Sequence, residues 1–183
     1  MIEKSLLAGV DWAYFQEQSF LEEIAPEELN VEGNFSSWSA RDLVAHVAEY
    51  RRNIGDFLLR LKKEGTERAD YTPVEPIDAR NRRIYDANHS FTLEQIRAQS
   101  RASWLRVKEA VLDVGSGFLE EPESSRLLWS NKTDALWRRT VYGEAIYHPM
   151  GHLFSYHERH GRNDRAGDLR QNFGSQMRTL GLT

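Results

Sequence analysis

A chain of 183 residues is long enough for one buried core and short for two, so a single domain spanning 1–183 is expected. Hydrophobic residues make up 40% of it and charged residues 28%, a balance that excludes a disordered chain and a membrane protein of many spans. The formal charge of -4 argues against nucleic acid as a partner, and the absence of cysteine excludes disulfides, a thiolate nucleophile and any sulfur-held metal.

No stretch approaches the roughly 20 apolar residues that a bilayer span needs, so no membrane partner is expected. The N-terminal run Met1–Phe15 meets Asp11 after a short apolar stretch and carries no small-residue cleavage pattern, which points to a cytoplasmic protein.

Apolar residues recur at spacings of three and four, and strict alternation is nearly absent, so the chain reads as all-α. The first helix is expected from about Ser5 to Ile24, with Leu6, Val10, Ala13, Phe20, Leu21 and Ile24 inward and Ala25-Pro26 as its stop. The second opens on a capping box, Ser39 with Asp42, and on Trp38 placed to pack against Leu43. Its inner stripe is Leu43, His46, Val47, Tyr50, Ile54, Phe57, Leu58 and Leu61, and Gly65 closes it. The neighbouring pair Arg51-Arg52, like Arg82-Arg83, reads as solvated helix face.

A long connection with Thr72-Pro73 and Glu75-Pro76 follows, then a short helix near Asp78 to Ala87. The third long helix starts at Thr92, capped with Gln95, and runs to about Val114, where Gly115-Ser116-Gly117 breaks it. The stretch Trp129 to Trp137 can be extended or a wide turn. A fourth helix is expected from about Thr140 to His160, and a fifth from Asp164 to about Leu180. Long connections between neighbours imply a four-helix bundle with crossover connections plus an additional C-terminal helix.

The histidines are the chemistry-bearing feature. His148 and His152 stand four apart, so both imidazoles share one helix face and can bind one ion. His46 lies in the buried stripe of another helix, where an unpaired imidazole costs about 1–3 kcal/mol. If those helices are neighbours, the three rings converge. Three neutral imidazoles and an open position suit a divalent transition metal such as Zn²⁺ or Ni²⁺. Glu144, one turn before His148, can orient an imidazole or fill the open position. Pro149 either kinks this helix or occupies its first turn. His157 and His160 fall in the last turn, where a cation interacts well with the helix dipole.

Taken in order, Trp38-Ser-Ala-Arg-Asp42-Leu-Val-Ala-His46-Val-Ala-Glu49, Ala79-Arg-Asn81-Arg-Arg-Ile-Tyr85-Asp-Ala-Asn88, the Thr92 helix and the pair His148, His152 resemble the DinB-like superfamily, including its ClbS/DfsB branch. The resemblance covers residues 5 to 165. It implies a four-helix bundle, often dimeric, with a divalent metal on the positions of His46, His148 and His152. It also implies thiol-dependent transferase, isomerase or hydrolase chemistry. Where metal-binding members continue the last histidine with Arg-Gly-Gln, this chain has Leu153-Phe154-Ser155.

Three functions compete. The first is a metal-dependent hydrolase or thiol transferase acting on a small electrophilic molecule, with Tyr50, Glu144 and Tyr147 orienting substrate or relaying a proton. The second is a metal-free protective hydrolase or binding protein of the ClbS kind, with Trp12, Tyr50, Trp104 and Tyr147 lining an apolar pocket. The third is a non-catalytic homodimeric bundle, whose five tryptophans, seven tyrosines and eight phenylalanines supply the interface.

Overall fold

The computed structural model of the chain describes residues 1–29, 31, 33, 37–64, 76–127 and 131–183. Its elements are α1 (Ile2–Glu23), a single turn α2 (Pro26–Leu29), α3 (Ala40–Lys63), α4 (Ile77–Asn88), α5 (Leu93–Glu120) and a 3-10 turn at Glu123–Ser125. A π-helical segment, Arg138–Tyr147, runs directly into α6 (His148–Arg159), and α7 (Asn163–Leu180) ends the chain. The fold is all-α. Among the described residues there is no strand, and no helix is long and apolar enough to cross a membrane.

Four rods make the bundle: α1, α3, α5 and the joined π-helical segment and α6. Both α5 and the last rod pack against α1 and α3, so α1 stands diagonally from α3 and α5 from the last rod. The links from α1 to α3 and from α5 to the last rod therefore cross the bundle, which is the crossover arrangement expected from the loop lengths. α4 lies on α3, and α7 lies on α6 and α1.

The core between the rods follows the three-four spacing of the sequence. Leu6, Val10, Ala13, Phe20 and Leu21 of α1 meet Leu43, Val47, Ile54, Leu58 and Leu61 of α3, Val107 and Val111 of α5, and Ile146, Met150 and Leu153 of the last rod. Each larger side chain contributes about 1.5–3 kcal/mol by leaving water.

Both capping boxes form. The Asp42 N–H donates to Ser39 Oγ at 3.2 Å and the Ser39 N–H donates back to Asp42 Oδ2 at 3.0 Å. The same exchange joins Thr92 and Gln95. The first box fixes where α3 begins, and thereby the phase with which His46 enters the interior.

Three expectations change. α5 does break at Gly115, whose φ of 76° lies in the left-handed region open to glycine, but helical turns resume and continue to Glu120. Arg51 is not solvated: helix phase places it on the inner stripe with Val47 and Ile54, where its guanidinium pairs with Glu17 of α1, both fully buried. Arg52 does face solvent, between Glu49 and Asp56. His157 is buried rather than a cation at a helix end; both ring nitrogens lack hydrogen-bonding partners among the described residues, and burial lowers its pKa.

Residues 131–137 are partly extended, because Glu123 N–H bonds Asp134 O, Leu136 N–H bonds Glu121 O, and Pro122 bridges Ala135. Gly65, Thr72, Pro73, Glu75 and Trp129 lie outside the described residues.

Candidate metal centre

His46 projects from the second turn of α3 toward the last rod, which packs beside it. His148 and His152 come from the first turns of α6, one above the other. The winding changes where they begin. In the π-helical segment the N–H of His148 reaches back five residues to Gly143 O, and Pro149, which has no N–H to place, starts the tighter α-helical winding. Pro149 thus sits in the first turn of α6, and Glu144 is left on the side of His148. Single π turns inside helices recur at functional sites.

His46 meets His148 and His152 edge to face, and those two rings are tilted against each other. Their ring centroids are 5.1 Å apart for His46 and His148, 4.7 Å for His46 and His152, and 4.6 Å for His148 and His152. His148 Nε2 lies 3.3 Å from His46 Nε2 and 2.8 Å from His152 Nε2, and one ring nitrogen of each residue falls within 4.8 Å of the others. Nitrogens that each sit about 2.0–2.1 Å from one ion stand roughly 3 Å apart at right-angled to tetrahedral geometry, so the donor set fits a first-row divalent ion.

Electrostatics favour the same reading. Burial pushes His46 down to about 2, helped by its neighbours His152 and His148. Burial, His152 and Arg51 take His148 to about 3, and burial with Arg159 takes His152 to about 4. All three are therefore neutral at physiological pH, the form that ligates a cation.

Outer contacts back all three rings. Glu144 Oε2 stands 3.5 Å from His148 Nδ1, beyond hydrogen-bond length but within reach of a small side-chain rotation, and its pKa is raised by burial against the pull of Arg139 and Arg80. Trp38 lies edge-on to His46 at 4.4 Å and parallel to His152 at 6.4 Å. Beside its expected place at the start of α3, the Trp38 ring thus backs two of the histidines. His46 Nδ1 is buried without a hydrogen-bonding partner among the described residues.

Above the histidines opens a cleft of about 640 Å³, lined by all three of them and by Tyr50, Glu144, Tyr147, Ile77, Asn81, Arg139, Gly143, Gly151 and Ser155. All six residues singled out from the sequence thus border one space. Tyr50 packs on His46 and His148 at 4.6 and 4.7 Å, and its hydroxyl donates to Asn81 Oδ1 at 3.1 Å. Tyr147 stands at the lip, more than half exposed, with its ring near Tyr142 and Phe173.

Trp12 and Trp104 do not line the cleft. Trp12 packs on Phe173, and Trp104 stacks on Tyr14 and donates to Asp11. Sequence reasoning missed the lining roles of Asn81, Arg139 and Gly151. Ile77 and Asn81, four apart on α4, carried a readable signal, since a helix presents both on one face.

A helical bundle whose second and last rods turn imidazoles into a shared crevice falls in the DinB/YfiT-like helical superfamily. The family model of the mycothiol maleylpyruvate isomerase N-terminal domain matches residues 16–149, most of the chain, and the chain belongs to that family. Among curated proteins and among solved structures, none matches it. The matched span includes His46 and His148 and ends before His152.

Proposed function

We propose that the protein is a metal-dependent enzyme that brings a thiol to a small electrophilic molecule in this cleft, with His46, His148 and His152 as ligands of a zinc or nickel ion. The convergence of three neutral Nε2-bearing rings at the floor of an open cleft carries the proposal. A divalent ion there supplies Lewis acidity that lowers the pKa of a thiol or water toward neutrality.

The chain's own groups then have distinct tasks. Glu144, its carboxylate made more basic by burial, takes the proton that the thiol gives up. Sulfur forms a bond to the electrophilic carbon, and the displaced electron pair goes to a leaving group or to the adjacent carbon, which Glu144 reprotonates. Tyr50 and Trp38 hold His46, while Tyr147 borders the entrance. The family's name joins a thiol, mycothiol, to maleylpyruvate, which favours thiol over water as nucleophile.

The test is the rate of thiol loss with an aromatic halide, 1-chloro-2,4-dinitrobenzene, and a panel of small thiols. Metal-loaded wild type is expected to exceed both chelator-stripped protein and His148→Ala by at least about a hundredfold. Equal rates in all three would overturn the reading. Hydrolysis that survives chelation would favour the metal-free reading, a protective hydrolase of the ClbS/DfsB kind, for which the open cleft is the supporting observation.

A further inference from the structure

The cleft has both polar and apolar lining. Near the histidines, polar groups are engaged with one another, as the Tyr50 hydroxyl is with Asn81. The lining also carries exposed apolar side chains, beside the half-exposed Arg139. Ile77 of α4 is 65% exposed and Tyr147 of the last rod 54% exposed, and both border the cleft, so two large apolar side chains face water at its mouth. Exposed apolar surface concentrated around a concavity marks a binding site more than a surface accident does.

The wall beside the histidines is stripped of side chain. Gly151 sits between His148 and His152 in sequence, and a Cβ built on it would meet nothing within 4 Å. The space it leaves belongs to the cleft. No backbone requirement explains this glycine, since it lies inside α6 without a positive φ, where an alanine would be better by about 1 kcal/mol. Ser155, one turn on, bonds its hydroxyl back to Gly151 O at 2.9 Å rather than directing it into the cleft. Space of this size is in the range that holds ligands of drug-like bulk.

Resting on the proposed function, we infer that the electrophile has a bulky apolar body, aromatic or alicyclic, which lies over Gly151 and is gripped between Ile77 and Tyr147, and that Gly151 sets its size limit. Apolar clamping by two lips positions the reacting carbon beside the histidines, with Arg139 and Glu144 on the remaining wall. A compact aliphatic acid would leave both lips in water and most of the cleft unfilled.

The test reads binding, separately from chemistry. 2-Naphthol, an unreactive bicyclic probe, is titrated calorimetrically into zinc-loaded wild type, Gly151→Leu, Ile77→Ser and Tyr147→Ser, with maleate as the compact comparison. Wild type is expected to bind naphthol and to prefer it to maleate. Gly151→Leu fills the cleft while improving helix propensity, so it should keep its helicity and zinc content and lose at least about tenfold in naphthol affinity. Each lip substitution is expected to cost about threefold to tenfold. Naphthol affinity unchanged in Gly151→Leu, or wild type that prefers maleate, overturns the inference. Zinc content measured on the same samples reports on the metal reading separately: zinc-free wild type that still binds naphthol in a Gly151-dependent way upholds the inference and sinks only the metal.

Discussion

His46 and His148 lie 102 positions apart in the chain, yet their Nε2 atoms stand 3.3 Å from each other across the contact between α3 and the last rod. At that distance either one neutral imidazole donates its N–H to the other or a cation bridges two lone pairs, and the third ring nitrogen converging on the same point completes a donor set for the cation. Removing any one of the three imidazoles is therefore expected to abolish tight metal binding. Glu144→Gln, which keeps the shape but removes the charge beside His148, is expected to weaken it by about 10–100-fold. Competition against a chromophoric chelator measures both effects.

Stability is expected to depend on the buried pair of Arg51 and Glu17. Arg51 also approaches Ser100 O and Ser103 Oγ at 3.4 Å, and Ser100 donates to Glu17, so three rods share one polar cluster in the core. Arg51→Met alone strands a carboxylate in that core and should cost about 3–5 kcal/mol, whereas Arg51→Met with Glu17→Leu should recover most of it. Urea midpoints of the two single variants and the double variant give the comparison.

His157 gives the fold an acid sensitivity of its own. Burial is the main cause of its lowered pKa, with Glu23 and Glu28 opposing and Arg162 and Arg165 assisting. A base depressed in the folded state takes its proton mainly when unfolded, so stability is full above the unfolded value near 6.5 and declines as pH falls below it. His157→Leu should remove this contribution and flatten the loss of stability between pH 6.5 and 5.5. Chelator-stripped protein, unfolded in urea at both pH values, isolates the effect from metal loss.

The start of α3 is worth testing because it sets the phase of His46. Ser39→Ala removes one side of the capping box and should cost about 1 kcal/mol. Asp42→Ala, which removes the reciprocal bond, should cost a similar amount. Thermal unfolding of both variants checks the direction and size.

Much of this was readable beforehand, for local reasons. Ser39, Thr92 and the three-four apolar spacing act within a turn or two, so α3, α5 and the last rod could be placed closely from sequence. The meeting of His46 with His148 and His152 was legible only as a condition, since it depends on which rods are neighbours. Arg51 was misread because a charge adjacent to Arg52 resembles surface, and its partner Glu17 lies on another helix. The same limit hid Arg139 and Gly151, whose importance arises from empty space between elements. His157 followed the helix-end rule in sequence and broke it in three dimensions, where Phe20 packs edge-on at 5.5 Å.

Three imidazoles around one divalent ion leave a distinct spectroscopic signature. X-ray absorption at the zinc or nickel edge on protein purified without chelators reads that signature. About one ion per chain is expected, with three imidazole nitrogens at about 2.0–2.1 Å and the signal lost in His148→Ala. Protein that takes up no ion even after incubation with zinc and nickel, or an ion whose shell is unchanged in His148→Ala, would contradict the three-imidazole centre.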